Sequence, residues 1–573
     1  MEWLSHLWQW FVETLRANPS IAIFLTIGIG FWIGKFKYKT FSLGNVTSVL
    51  LVGVLVGQLD IQIGGPVKNV FFLMFLFAIG YSVGPQFFRS LRGSGLKEVG
   101  FAVVMCVIVL LTTVGAAKLM GYNIGEAIGL FSGSATISAA IGVGTDTMSS
   151  FGLDESKCQA MVDIIPVAYA VTYIFGTIGS AYILSSLGPW LLGGLKKVRE
   201  DTRALEAEMN SSSTASDPAY FNALRPVAFR AYNVESDTFD TPMTVAEVEK
   251  SFAAKGRRLF VERVRIDGKI VDPTPDLQIK KGYEIVLSGR REFIVGDESW
   301  IGREVNDPQL LSFPVEQLKV LVSSKGASGM TIETLRSKPY MQGVAIKSLT
   351  RAEVEIPVLA KTTLEGGDTI TLVGLPQEVN AAAPNIGYVD RPSNATNLIL
   401  LGIGITLGCL IGALAVKIGN VSISLSTSGG ALISGLVCGW LRSRRPSIGA
   451  IPSQAIWVFN NLGLNTFIAV IGITSGPSFV SGIHQVGFSM FLVGIAVTSI
   501  PLILGVIIGS KLFKFRPAIN LGCCAGARTT TAALGAVQDA IGSSIPAMGY
   551  TVTYAIGNTL LILWGVVIVL MMA

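Results

Sequence analysis

The chain has 573 residues, 50% hydrophobic and 14% charged, with a formal net charge of +6 and a mean hydropathy of +0.57. That balance excludes an ordinary soluble protein and points to a polytopic helical membrane protein, whose 64 glycines suit close helix packing in lipid. No lysine/arginine cluster interleaves with aromatics, so nucleic acid is not an expected partner. The only histidines are His6 and His484, and six cysteines (Cys106, Cys158, Cys409, Cys438, Cys523, Cys524) lack metal-ligand spacing, so neither a metal nor a cofactor is expected.

Residues 1–18, with Trp3, Trp8, Trp10 and Phe11 and no basic region before an apolar run, read as an amphipathic helix in the membrane interface rather than a cleaved signal peptide. Residues 19–194 form a first membrane repeat. Its spans are expected at Ser20–Gly34, Leu43–Leu59, Val67–Val83, Val99–Met120 and Ala160–Ser185, each near the ~17–25 residues that cross a bilayer. The Gly28-Ile29-Gly30 pattern lies inside a span, so it is a packing feature and not a dinucleotide fingerprint.

At residue 195 the composition changes. Residues 195–217 read as a charged helix followed by the Ser-rich linker Asn210–Asp217. Residues 218–300 and 301–392 alternate apolar and polar positions and form two small α+β domains. They resemble each other: Met243-Thr244-Val245 recurs as Met330-Thr331-Ile332, and Gly282–Gly289 recurs as Gly367–Gly374. Residues 393–573 form a second membrane repeat, with spans at Asn397–Val416, Leu425–Leu441, Ala455–Ser475, Phe488–Ser510 and Pro546–Leu570.

The two membrane halves are duplicates. Gly28, Gly30 and Gly34 match Gly402, Gly404 and Gly408; Gly53 and Gly57 match Gly435 and Gly439. Gly80, Gly84, Pro85 match Gly472, Gly476, Pro477, and Tyr169, Thr172, Tyr173 match Tyr550, Thr553, Tyr554. Basic residues then set the orientation. Lys35, Lys37, Lys39, Arg89, Arg92, Lys97, Lys196, Lys197 and Arg199 in the first half, and Arg442, Arg444, Arg445, Lys511, Lys514 and Arg516 in the second, all fall on one side if each half makes five crossings plus one re-entrant hairpin. Two inverted repeats follow, with both termini outside and the soluble insert in the cytoplasm.

The hairpins are the polar segments Gly133-Ser134-Ala135-Thr136-Ile137-Ser138 and Gly526-Ala527-Arg528-Thr529-Thr530-Thr531, with Asp146 and Asp539 at matching distances. Hydroxyl-rich, helix-weakening segments in corresponding halves mark a transporter binding site. Arg528 is the lone charge of its segment and reads as a guanidinium for a substrate carboxylate. The alternative is a structural arginine, paired with a carboxylate or snorkelling. Thr529, Thr530, Thr531, Ser134, Thr136 and Ser138 either bind substrate oxygens or satisfy freed backbone groups, with Gly133, Gly526 and Ala527 allowing close approach. Gly84-Pro85 and Gly476-Pro477 read as helix breaks or termini whose carbonyls face the cavity, and Tyr169, Tyr173, Tyr550 and Tyr554 either line the pocket or pack the core. Asp146, Asp163 and Asp539 are candidates for cation or proton coupling, or caps at segment ends.

The duplicated halves, the paired inserts and the Gly-Ala-Arg-Thr-Thr-Thr-Ala-Ala block at 526–533 resemble the aspartate:alanine exchanger family. The inserts resemble the C-terminal regulatory domain of potassium-uptake and conductance regulators, the TrkA-C-like fold. The resemblance implies electrogenic exchange of aspartate for alanine in a homodimer. The expected setting is a bacterial inner membrane, with alternating access of an elevator-like kind and a small regulatory ligand at the cytoplasmic domains. Export of succinate-like dicarboxylates is the nearest alternative. A ligand-gated ion channel would need a carbonyl filter or an acidic ring, neither of which the sequence contains, and no paired acid/base constellation suggests an enzyme.

Overall fold

The computed structural model describes residues 2–38, 41–42, 44–91, 95–150, 155–210, 227–254, 259–290, 301–311, 316–341, 343–351, 354–389, 396–418, 421–444 and 451–573. Lys39, Arg92 and Arg445 of the basic clusters, positions 211–217 of the linker and the boundaries at 218, 300 and 392 lie outside the described residues. The chain divides into two compact units, Met1–Arg203 with Pro392–Ala573, and Ala204–Arg391.

The first half of the membrane unit runs α1 (Glu2–Ala17), α2 (Pro19–Gly34), β1 (Lys37–Tyr38), β2 (Phe41–Ser42), α3 (Gly44–Gly57), α4 (Gly65–Ser90), α5 (Leu96–Met120), α6 (Ile124–Ser134), α7 (Ala139–Ser150) and α8 (Glu155–Tyr182). A five-residue π turn and the short α9 (Gly188–Leu191) lead into α10 (Leu195–Asn210). α1 turns by 107° into α2; Leu15 is buried and Arg16 Nε donates to Leu59 O at 2.8 Å.

Two five-stranded antiparallel sheets make up the second unit. The first comprises β3 (Val227–Asn233), β5 (Leu259–Ile266), β6 (Lys269–Val271), β8 (Glu284–Arg290) and β9 (Glu304–Val305), in the order β6-β5-β8-β3-β9; β4 (Met243–Thr244) pairs with β7 (Gln278–Ile279), and α11 spans Val245–Ala254. The second comprises β10 (Glu316–Val322), β11 (Ala345–Arg351), β12 (Val354–Ile356), β13 (Thr369–Gly374) and β14 (Gly387–Val389), in the order β12-β11-β13-β10-β14, with α12 (Ile332–Arg336) and α13 (Pro376–Ile386). Strand for strand the two orders correspond. The recurring Gly282 and Gly367 both open their strands with a left-handed backbone, at φ 90° and 92°.

The second membrane half runs α14 (Leu398–Ala413), β15 (Ala415–Ile418), β16 (Val421–Ser424), α15 (Ser426–Arg444), α16 (Ser453–Lys511), α17 (Pro517–Ala527), α18 (Thr531–Ile541) and α19 (Pro546–Met572). Six described segments are long and apolar enough to cross a membrane, including two within α16 (Ser453–Phe479 and Gly487–Lys511), and seven if the bent α1–α2 pair is one span. Sequence reading expected ten. The helix expected through Val416 stops at Ala413, because Ala415–Ile418 pairs with Val421–Ser424 as a hairpin, as Lys37–Tyr38 does with Phe41–Ser42. Such short strands leave no readable periodicity.

The expected breaks at Gly84-Pro85 and Gly476-Pro477 are also corrected: both lie inside continuous helices, α4 and α16. Proline has no N–H for the carbonyl four residues back, which here means Tyr81 O and Ile473 O. Each of those carbonyls rests on a glycine of the other half. A β-carbon at Gly439 would strike Tyr81 O, and one at Gly57 would strike Ile473 O. The crossings α4/α15 and α3/α16 are therefore reciprocal, with Gly80 and Gly84 against α15 and Gly472 and Gly476 against α3.

Candidate functional site

The two polar segments end their helices in the same way. Thr136 N bonds Gly133 O at 3.1 Å and Ile137 N bonds Ser132 O at 2.9 Å; Thr529 N bonds Gly526 O at 2.9 Å and Thr530 N bonds Ala525 O at 3.1 Å. This two-bond ending requires a left-handed residue just past the cap, usually glycine. Here it is threonine twice, Thr136 at φ 55° and Thr529 at φ 54°. A side chain there costs about 1–2 kcal/mol, and such strain collects at functional sites.

The segment tips meet. Thr136 Oγ1 donates to Arg528 O at 3.5 Å, and Arg528 Nη2 donates to Ser134 O, the last carbonyl of α6. Arg528 Nη1 donates to Thr498 O at 3.4 Å, and Thr498 Oγ1 donates to Ser134 O at 3.4 Å. In the matching place of the other half, Cys106 Sγ lies 4.0 Å from Ala527 O, and Trp564 Nε1 holds Cys106 O at 2.9 Å.

Arg528 is 1% exposed, yet among the described residues no carboxylate pairs with it and its Nε has no hydrogen-bond partner. A buried cation is costly unless compensated. The negative end of α6, presented through Ser134 O, supplies part of that compensation. The N-termini of α7 and α18 start just beyond the two breaks, and Thr530 caps α18 by accepting from Ala533 N at 3.4 Å.

The other expected residues fall in several environments. Gly133 is packed on Tyr169 O and Thr172, and Gly526 on Tyr550 O and Thr553, with Ala527 buried beside it. Ser134 Oγ donates to Leu130 O at 2.5 Å, Thr529 Oγ1 has no partner among the described residues, Ser138 is buried and Thr531 is exposed. Tyr169 lies tilted against Tyr173 with ring centroids 5.1 Å apart, and Tyr550 stacks on Tyr554 at 5.2 Å. The buried Tyr550 hydroxyl has no partner among the described residues. Gly84, Pro85, Gly476 and Pro477 belong to the helix crossings described above.

Asp146 Oδ2 accepts from Ser428 Oγ and, at 3.4 Å, from Thr427 Oγ1, both in the first turn of α15, with Lys68 nearby. Asp163 accepts from Gln159 Nε2 at 2.8 Å, and Asp539 is exposed. Sequence reasoning missed Thr498, Cys106 and Ser428. Thr498 and Cys106 could have been found as small polar residues occupying matching places in matching apolar spans.

In the soluble unit a cleft of about 520 Å³ between the two sheets is lined by Glu249, Glu262, Arg263, Asp272, Tyr340 and Glu378. Glu262 accepts from Ser288 Oγ. Burial, opposed by that bond and reinforced by Glu378 and Glu249, pushes Glu262 up to about 7. Burial and then Glu249 push Glu378 up to about 7 as well.

Bilayer-length helices packed around two broken ones, with a buried cation at the break, define a multi-pass membrane transporter. The chain belongs to the Asp-Al_Ex family, described as "Predicted Permease Membrane Region", whose sequence model matches residues 22–188 and 400–570, once in each half. An uncharacterized transporter of Shewanella oneidensis is 41% identical over 98% of this chain and 100% of its own. Uncharacterized transporters of Bordetella parapertussis (35%, 97% of each chain) and Zymomonas mobilis (32%, 98% of this chain and 99% of its own) are similar over nearly the same extent. No solved structure matches the chain.

Proposed function

We propose that the protein is a secondary transporter exchanging aspartate for alanine across a bacterial inner membrane, with the substrate carboxylate held by Arg528. The observation that carries this reading is the burial of Arg528 with neither an acidic partner nor a hydrogen bond at Nε among the described residues. A planar guanidinium presents parallel N–H groups to a carboxylate, and the N-termini of α7 and α18 favour the same charge. Thr529 Oγ1 and the Tyr550 hydroxyl, both buried without partners among the described residues, offer further donors. The choice of aspartate and alanine rests on the family.

On this reading the halves are inverted repeats, each with its broken pair (α6–α7 and α17–α18) as a re-entrant hairpin, and the hairpins carry substrate in an elevator-like movement. The insert is cytoplasmic, its two lobes TrkA-C-like and open to a small regulatory ligand, the termini are outside, and the protein is a homodimer. α1 lies in the membrane interface through Trp3, Trp8 and Trp10, all exposed. Counterflow in proteoliposomes with labelled aspartate, alanine and succinate tests the reading. Aspartate exchanged for alanine supports it, succinate alone moves the assignment to C4 dicarboxylates, and no counterflow of any carboxylate removes it.

A further inference from the structure

The two broken pairs align without a gap from Gly133/Gly526 to Asp146/Asp539, yet the starts and aspartates of their second arms lie in different environments. At the start of α7, Ser138 (just before the helix) and Ala139 are 9% and 2% exposed; their counterparts at the start of α18, Thr531 and Ala532, are exposed. A β-carbon at Gly142 would strike the ring of Phe72, itself stacked on Phe467 at 4.2 Å; one at the matching Gly535 would meet nothing within 4 Å. Asp146 is clasped by Ser428 and Thr427, whereas Asp539, at the same place in α18, is exposed and makes no hydrogen bond among the described residues. Both arms are packed, α18 through the buried Ala533, Leu534, Val537 and Ile541 and through Ala540 O, which accepts from Arg199 Nε at 2.9 Å; what differs is that the α7 aspartate is clasped and the α18 aspartate is not.

The structure also identifies the seat that Asp539 lacks. α15, whose first turn clasps Asp146, begins after the hairpin β15–β16 with Ser426 at φ 60°. Its counterpart α3 begins after β1–β2 with Gly44 at φ 71°, and the matched pairs Gly53/Gly435 and Gly57/Gly439 put Asn45 where α15 has Thr427. The Ser48 hydroxyl in that turn is buried without a partner among the described residues. An amide side chain and a helix N-terminus both suit a carboxylate.

We propose that Asp146 and Asp539 are alternating gate latches: the molecule is closed at the Asp146 end and open at the Asp539 end, and the opposite state forms when Asp146 leaves the first turn of α15 and Asp539 docks on the first turn of α3 at Asn45. This assigns the two aspartates to conformational gating rather than ion coupling. It rests on the exchanger reading for the alternation itself but requires no particular substrate.

Cysteine labelling of the full-length protein in lipid vesicles tests it. With the three incompletely buried cysteines (Cys158, Cys409, Cys438) replaced, Ala532→Cys and Ala139→Cys report the two arms through their reaction with a water-soluble maleimide. Ala532→Cys should react at least about tenfold faster than Ala139→Cys. Asp146→Asn, and independently Ser428→Ala, should speed Ala139→Cys and slow Ala532→Cys, while Asn45→Ala should push both rates the other way. Equal rates at the two arms overturn the proposal. So do rates that none of the three variants moves, or a rise at Ala139→Cys without a fall at Ala532→Cys, since the ends would then open independently. The labelling needs no transported solute, so a wrong substrate leaves the latches standing, and failed latches leave Arg528 standing.

Discussion

The guanidinium of Arg528 donates to the carbonyl of Ser134, 394 residues earlier in the chain. A cation from one half thus closes the broken helix of the other. The same guanidinium keeps N–H groups in reserve, including Nε. A purely structural arginine at so buried a position is normally matched by a carboxylate, and among the described residues none is present.

Arg528→Lys keeps the charge and loses the fork. Charge-assisted hydrogen bonds contribute about 1.5–3 kcal/mol each, so substrate exchange should fall by roughly 10–150-fold while the melting temperature of the detergent-solubilised protein changes little. Initial rates of aspartate uptake into alanine-loaded proteoliposomes measure this. Full activity in the lysine variant would mean that the cation serves the fold alone.

Gly57→Ala and Gly439→Ala push a methyl group into a carbonyl that proline has already deprived of its helical partner. Overpacking of this kind costs about 1–3 kcal/mol, and thermal unfolding should register it in both variants. Gly28→Ala and Gly402→Ala are the controls, because a β-carbon there meets nothing within 4 Å. Since alanine is the better helix former by roughly 0.5–1 kcal/mol, those two should be neutral or mildly stabilising.

Thr136→Gly and Thr529→Gly relieve a left-handed β-branched residue, and each should raise stability by about 1 kcal/mol. Thr145, in the interior of α7, provides the contrast: Thr145→Gly should destabilise the protein. Paired chemical-denaturation curves distinguish the two behaviours.

Glu262 and Glu378 are both raised to about 7 by burial in the soluble cleft. A raised folded-state value means that the native form binds protons more tightly than the unfolded chain, so the stabilisation is complete at low pH and is lost as pH rises through about 7. Protection of β5 amides against hydrogen exchange in the intact protein, corrected for intrinsic rates, should therefore weaken between pH 5.5 and 8. Glu262→Gln, which cannot ionise, should flatten that slope; an unchanged slope would place the titration elsewhere.

The repeated blocks made much of this architecture readable before any coordinates. Matching glycines and the Gly133 and Gly526 segments fall on corresponding elements, while Met243 opens β4 and Met330 only precedes the single bridge Thr331–Thr363. Gly84-Pro85 and Gly476-Pro477 misled because proline signals a break by its own chemistry, while the glycine that accommodates it is hundreds of residues away. Thr498 and Cys106 left only a faint signal, one small polar residue at the matching place of each apolar span, and the folded crossing is what brings each to the opposite tip. Asp146 and Asp539 could not be told apart at all, because duplicated sequence is symmetric and a single conformation is not.

The carbonyls of Tyr81 and Ile473, which proline deprives of the N–H four residues on, also bear on biogenesis. Each finds its bed only on the far repeat, so an N-terminal half made alone would present Tyr81 O, and an unfilled groove at Gly57, to hydrocarbon. Ribosomal synthesis separates the partners by the entire soluble unit. Final compaction of the first half must therefore wait until the second has been inserted, and truncation anywhere before α16 should yield a substrate for membrane proteases rather than a smaller transporter.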